Sequence, residues 1–392
     1  MIILGAGWFG MNFFWAFYTG PMPLFLKDFT DSKFMISLVL SLAGVMNCIV
    51  PPIAGYLSDR TITRYGRRKP YVLFGELGML LCMLSLPYAG TFPLVALISA
   101  AAYSSVAFAE TPLTSLLPDI TPPEQRSTVS GVVHLLGSVG LITSFAIGSG
   151  IWDKHPTAVF HLVALIAFGS MLFPIALVRE PEVERGNPSK RSLNPVSYLR
   201  SIAKETNAVK FFVAQSFWWL GLNIVSAFMT LFLVEELKVS EGKSLLVPMT
   251  LTIVATVAAL PLGILGDRIG RKKILSSMIA IWVFTGVLIG FTQNFTTALI
   301  IAAVSGIPFA AALTIGYAFM LDLIPKERTA EFVGFNMISL SAPMIFGPPI
   351  GGKLIDMFGY RLAFPMSVVF TIIGLVILQS IHPRHASPEE PK

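Results

Sequence analysis

"GYLSDRTITRYGRRKPYV" occupies residues 55–72, and five of the ten residues from Arg60 to Lys69 are Lys or Arg. The rest of the chain is of the opposite character. Of 392 residues, 13% are charged and 54% hydrophobic, and the mean hydropathy is +0.73. Soluble domains carry about 25% charged residues, so the first class to test is a chain that crosses a membrane many times. A basic stretch flanked on both sides by apolar runs is then a loop between two spans. Its charge is in part an orientation signal.

A helix needs about 20 apolar residues to cross the hydrocarbon. Twelve stretches qualify: 2–26, 34–58, 70–88, 93–117, 127–151, 157–178, 209–234, 244–265, 272–292, 296–320, 329–352 and 360–381. The first is apolar from its start and has no basic leader, so it reads as a retained span and not a signal peptide. The longest polar gap, 179–208, follows the sixth span and reads as a linker. The expected domains are a bundle at 1–178, that linker, a second bundle at 209–382 and a tail at 383–392. Seven of the 28 Lys and Arg, namely Lys27, Lys33, Lys154, Lys238, Lys243, Lys353 and Arg361, lie in loops on one side. The other 21 lie opposite, which puts the linker and both termini in the cytoplasm of a plasma (inner) membrane.

The basic loop recurs. "GYLSDRTITRYGRRK" at 55–69 is echoed by "GILGDRIGRKK" at 263–273, with Asp59 matching Asp267. "DITPPEQR" from Asp119 is echoed by "DLIPKER" from Asp322, and "NFFW" at 12–15 by "QSFW" at 215–218. Three echoes at nearly one offset mark a duplicated six-helix unit. Such repeats are typical of secondary transporters, which bind substrate between the halves.

Twelve spans as six plus six, with this motif after spans 2 and 8 and a central linker, resemble the major facilitator superfamily over essentially the whole chain. The first half, through "GYLSDRTITRYGRRKPYVLFG" at 55–75 and "ETPLTSLLPDITPPEQR" at 110–126, resembles the sucrose/proton symporter branch. Plant carriers of that branch have an arginine in span 4 where this chain has Thr114, which speaks against sucrose itself. The resemblance implies an all-α membrane fold of two pseudo-symmetric six-helix bundles. It also implies a cytoplasmic gate in which Asp59 meets the N-terminus of span 11. The gate candidates are Gly55, Asp59, Arg60, Gly66, Arg67, Arg68, Asp119 and Arg126, with Gly263, Asp267, Arg268, Arg271, Asp322 and Arg328 in the repeat. Asp59 ends span 2, where its own helix dipole disfavours it, so another helix N-terminus or a nearby arginine should hold it.

Charges inside spans are rare and costly. Glu110 lies nine residues before Asp119, about 13 Å along a helix, near the middle of the hydrocarbon. It is the leading proton-coupling candidate. His134 in span 5, at similar depth, is the second. Glu76 in span 3 reads as a structural pairing residue. No Lys or Arg lies deep in a cavity-type span, which disfavours an anionic substrate and favours a neutral polar one. Sugars bind through amide and hydroxyl groups and aromatic faces. Candidate contacts are Asn12, Trp15, Thr114, Gln215, Trp218, Trp219, Asn223 and Tyr317.

The leading expectation is a monomeric carrier that moves a sugar or glycoside with protons, sodium being the alternative ion. The runner-up is a multidrug or lipophile exporter. A receptor on the carrier fold comes third, because no large ligand-binding loop or tail is present. No enzymatic constellation, cofactor motif, metal spacing or nucleic-acid surface is found. "EGKS" at 241–244 lacks the upstream glycine of a phosphate loop, since Leu237 stands there, so no nucleotide site follows. Cys48 and Cys82 read as small buried hydrophobes.

Overall fold

The computed structural model describes residues 2–61, 63–122, 125–178, 180, 205–325 and 328–382, with the backbone alone at 127, 330 and 331. Most of the expected linker and the whole expected tail lie outside the described residues. Twelve long helices run through the rest: α1 (Ile2–Thr19), α2 (Lys33–Arg60), α3 (Lys69–Ser85), α4 (Phe92–Ile120), α5 (Arg126–Ile151), α6 (Pro156–Leu177), α7 (Thr206–Ser226), α8 (Leu246–Ile269), α9 (Arg271–Gly290), α10 (Phe295–Leu323), α11 (Thr329–Phe358) and α12 (Tyr360–Gln379). Short helices extend α1 (Pro21–Leu26) and α7 (Met229–Glu235). Eleven of the twelve are long and apolar enough to cross a membrane. The twelfth, α1, is uncharged and packs along α5 and α6.

Local chemistry sets the helix ends. Ser32 caps α2 by accepting from the Met35 amide at 3.3 Å, and Asn294 caps α10 by accepting from Thr297 at 2.9 Å. Such caps satisfy amides that have no partner within the helix. Proline opens α3, α4 and α6, where its missing N–H costs nothing. Gly270 and Gly359 sit at φ 111° and 73° and turn the chain sharply between consecutive spans.

The helices form two bundles. In the first half α1 packs on α5 and α6, and α4 packs on α2 and α3. In the second, α7 packs on α11 and α12, and α10 on α8 and α9. Two seams join the halves, α2 with α11 and α5 with α8. The duplication maps each seam onto the other.

The helices alternate in direction, so the two basic motifs lie at one end of the molecule, called here the motif end. At the opposite end one cluster of buried apolar residues runs through both halves, from Phe17, Leu24 and Val39 to Phe228, Phe232 and Phe364. At the motif end the core divides. The first half keeps Leu4, Leu116, Val129, Val133 and Val178, and the second keeps its own cluster around Phe211, Phe319 and Phe332. The halves therefore close on each other at the opposite end and part at the motif end. Cys82 is half-buried, whereas Cys48 is exposed on α2, a correction to its expected burial. It lies on the stretch of α2 that this parting uncovers.

Candidate functional site

The site is the space between the halves, with its closed and open ends. At the closed end the polar groups that link the halves are few and well placed. Asp356, in the last turn of α11, accepts from the Lys33 and Phe34 amides at 2.8 and 3.0 Å and from the Ser32 hydroxyl at 2.8 Å. It thus caps the first turn of α2 from the other half. Lys33 donates to Glu235 at 2.7 Å, and Glu235 also accepts from the Tyr360 hydroxyl at 3.0 Å. Glu241 pairs with Lys27 and accepts from the Trp152 indole at 2.6 Å. Asp153 accepts from Ser240 and from the Gly242 amide, both at 2.7 Å. The seam itself is tight. A Cβ built at Gly352 would meet the Lys33 carbonyl at 2.4 Å, and one at Gly44 would meet the Ile345 amide at 2.8 Å.

At the motif end each basic motif pairs with carboxylates of its own half. Arg67 and Arg68 bind Asp119 at 2.7 and 2.6 Å, and Arg68 reaches Asp59 at 3.3 Å. Arg271 repeats this with Asp267 at 2.8 Å and Asp322 at 2.7 Å. Glu180, just past α6, accepts from the amides of Arg67, Arg68 and Lys69 at 2.7–3.2 Å and caps α3. Gly66 turns this loop at φ 105°. Arg126 closes on the Pro118 and Thr121 carbonyls. Arg60 lies over the Tyr56 ring and Arg328 over Phe332, while Arg268 is exposed. Asp59 is held by Arg68, and its side chain is 60% exposed. Gly55 and Gly263 meet nothing closer than 3.7 Å, so no helix presses on either one with this end parted.

The mid-depth candidates divide into two groups. Glu110 is half-buried on α4, with the Trp15 indole close enough to its carboxylate to favour the charged form. Thr114, one turn on, is exposed. Its repeat partner Tyr317 is 44% exposed on α10, on one stripe with Leu313 and Leu321. His134 is exposed on α5. Trp219 stacks edge-on with Trp282 and Phe309.

Two candidates are buried. Gln215 is 3% exposed, and its amide donates to Asn336 and Ser339 at 2.6 and 2.9 Å between α7 and α11. Trp218 is fully buried against Phe211. Both pack within their own bundle in this conformation. The amides of Asn12 and Asn223 are turned back to the Trp8 and Trp219 carbonyls at 2.9 and 2.8 Å, which occupies one donor of each. Sequence reasoning missed Asn336, Ser339 and the entire closed-end set. Isolated charges at helix ends follow no motif, and the echo that placed Gln215 opposite Asn12 pointed to the wrong environment.

The sequence matches the Major Facilitator Superfamily family description over residues 2–257 and 211–392. A Mycobacterium tuberculosis protein, an uncharacterized MFS-type transporter, is 29% identical over 136 residues, 35% of this chain and a fifth of that protein's length. Multidrug resistance protein 2 of Bacillus subtilis is 23% identical over 91% of this chain and 89% of its own. Sucrose transport protein SUC3 of Arabidopsis thaliana is 23% identical over 37% of this chain and 28% of its own. Among solved structures, the nucleoside transporter NupG superposes with a TM-score of 0.80 at 15% identity, over 97% of this chain and all of its own. A bacterial homolog of the lysosomal transporter Spinster, inward-facing and occupied, gives 0.77 at 14% identity, over 97% and 94%.

Proposed function

The chain belongs to the Major Facilitator Superfamily, and from that premise we propose that it is a proton-coupled carrier of a small neutral solute of the sugar or glycoside class. It works by alternating access as a monomer, with bundles at 1–178 and 209–382. The positive-inside count assigns the motif end and the linker to the cytoplasm. The conformation described is then inward-open, sealed on the outer side. The outer seal and the motif loops are the two gates. Closing the inner side would bring Asp59 from Arg68 to the amides that begin α11.

The observation that carries the reading is Glu110 with Trp15. A carboxyl at mid-depth, one turn from exposed Thr114 and beside an indole, can take a proton from one side and give it to the other. The aromatic groups nearest the opening, Trp15, Trp219 and Tyr317, suit the apolar faces of a sugar. No Lys or Arg competes for the carboxylate within these spans. His134 is the reserve proton site.

The test is uptake into proteoliposomes under an inward proton gradient, with a panel of labelled mono- and disaccharides. Accumulation of one sugar that needs the gradient, and its loss in Glu110→Gln, is expected. A second reading, a lipophile exporter, rests on the near full-length likeness to Multidrug resistance protein 2 and on the apolar stripe of Leu313 and Leu321 beside Tyr317. If no sugar moves and the vesicles exchange protons for lipophilic cations, the sugar reading falls to this one.

A further inference from the structure

Glu76 forms no ion pair among the described residues. It lies on α3 and is 2% exposed, and its Oε2 has no hydrogen-bond partner among the described residues. α3 rests on α4 with almost no gap. A Cβ at Gly75 would meet the Ser105 carbonyl at 2.5 Å and one at Gly78 the Ser105 hydroxyl at 2.5 Å. The same Cβ at Gly75 would meet the Ala109 Cβ and amide at 2.8 Å, so the next residue of each helix, Glu76 and Glu110, lies at nearly one level of this interface, within electrostatic reach of the other. A second polar atom on α4 is equally bare among the described residues, the fully enclosed hydroxyl of Tyr103, whose ring stands edge-on to Tyr18 at 5.2 Å. Tyr18 in turn stands edge-on to Trp15 at 5.6 Å, and the Trp15 indole lies beside Glu110.

A carboxylate without a bond costs several kcal/mol away from water, and two carboxylates in one dry site cannot both ionise. We propose that Glu76 and Glu110 form a single proton-binding site across α3 and α4, holding one proton between them. Glu110 is the member that meets the opening and Trp15. Glu76 is the member that stores the proton when Glu110 is ionised. The proton passes from the Glu110 carboxylic acid to the Glu76 carboxylate and back, and no other group changes. The charges around the pair permit this. From α4 the charge that bears on Glu76 is that of Glu110. α4 also brings Tyr103. The other elements on α3 are α6 and the turn Leu86–Tyr88, which bring His161, bonded to Tyr88 at 3.3 Å. No Lys or Arg occurs within 70–118 or 156–177.

The inference rests on the reading of Glu110 as the coupling acid, and its test needs no transported solute. The purified full chain is titrated in detergent, and two signals are followed: tryptophan fluorescence, to which Trp15 contributes, and the infrared band of protonated carboxyls. The wild type should titrate in two separated steps, because interacting acids release their protons as a pair. Glu76→Gln and Glu110→Gln should each collapse the two steps to one. Glu76→Asp, which keeps the carboxyl, should retain two and guards against loss of folding in the amide variant. At neutral pH the infrared band of a buried acid should vanish in Glu76→Gln. One step in the wild type, unaltered in Glu76→Gln, would overturn the shared site even if proton-driven uptake through Glu110 is found. Two steps without any proton-driven uptake would keep the pair and remove the carrier reading instead.

Discussion

Asp356 and Lys33 are 323 residues apart, yet the Asp356 carboxylate accepts the Lys33 amide at 2.8 Å. The last turn of α11 thereby caps the first turn of α2, where free amides and the helix dipole favour an anion. At the other end of α2, Asp59 pairs with Arg68 of its own half at 3.3 Å. In the proposed cycle the two carboxylates act as latches at opposite ends of α2. A cap of this kind is worth roughly 1–2 kcal/mol, close to a tenfold change in a conformational ratio. Asp356→Asn should therefore raise the outward-open population about tenfold. A cysteine at buried Ser41, in a chain with Cys48 and Cys82 replaced by Ser, should react faster with a membrane-impermeant thiol reagent added outside. An unchanged rate would deny the latch.

The pair Lys33–Glu235 seals the same corner, with Lys33 nearly enclosed. Removing one partner of a buried pair strands the other, at a cost of about 3–5 kcal/mol when burial is complete. Glu235 is one-third exposed, so Glu235→Ala should cost less than that and still lower the melting temperature in detergent. Adding Lys33→Met should restore most of the loss. A double variant no more stable than the single one would show that the pair itself holds little.

The seam depends on missing side chains. Gly352→Ala forces a methyl against the Lys33 carbonyl, which belongs to backbone and cannot swing away. Overpacking of this sort costs about 1–3 kcal/mol. Melting should fall, and Ser41→Cys should become reactive from outside. Gly169→Ala, where nothing lies within 4 Å, serves as the matched control and should leave both unchanged.

Asp28, in the link between α1 and α2, feels partial burial first and the Glu241 carboxylate second. Both raise its pKa above the ordinary carboxylate value, against a smaller pull from Lys27. The closed outer face thus holds the Asp28 proton more tightly than an open, wetted one would. Acid on the outside favours closure through this group, and the advantage is lost as pH rises through the raised value. The Ser41→Cys reaction should slow as outside pH falls across that range. Asp28→Asn should flatten this part of the profile, and a profile identical to the wild type would remove Asp28 from it.

Much of the fold was legible because a bilayer imposes length and polarity on every span. The twelve expected stretches coincide with α1–α12 to within a few residues. The Asp-Arg and Gly-Arg echoes marked the duplication, since such pairs do not recur by composition alone. The site was less legible. Spacing placed Glu110 near mid-depth and set Thr114 opposite Tyr317, because depth and repeat offset are linear in sequence. Rotation about a helix axis is not. Gln215 and Trp218 therefore looked like Asn12 and Trp15 but face Asn336 and Phe211. Glu76 looked like one half of a pair, but it is buried on α3 with its Oε2 unbonded among the described residues. Nothing local in the sequence marks Asp356 and Glu235, whose partners Lys33 and Phe34 lie in the other half.

The direct test of alternating access is a pair of distances measured by electron spin resonance between spin labels. One pair, at Tyr65→Cys and Lys273→Cys, reports the motif end. The other, at Thr91→Cys and Gln293→Cys, reports the opposite end. Each is measured with and without Asp356→Asn. Releasing the outer latch should lengthen the Thr91–Gln293 distance and shorten the Tyr65–Lys273 distance in the same population. Lengthening at the outer end while the motif end stays fixed would mean that the halves fray and do not rock, and would contradict the account.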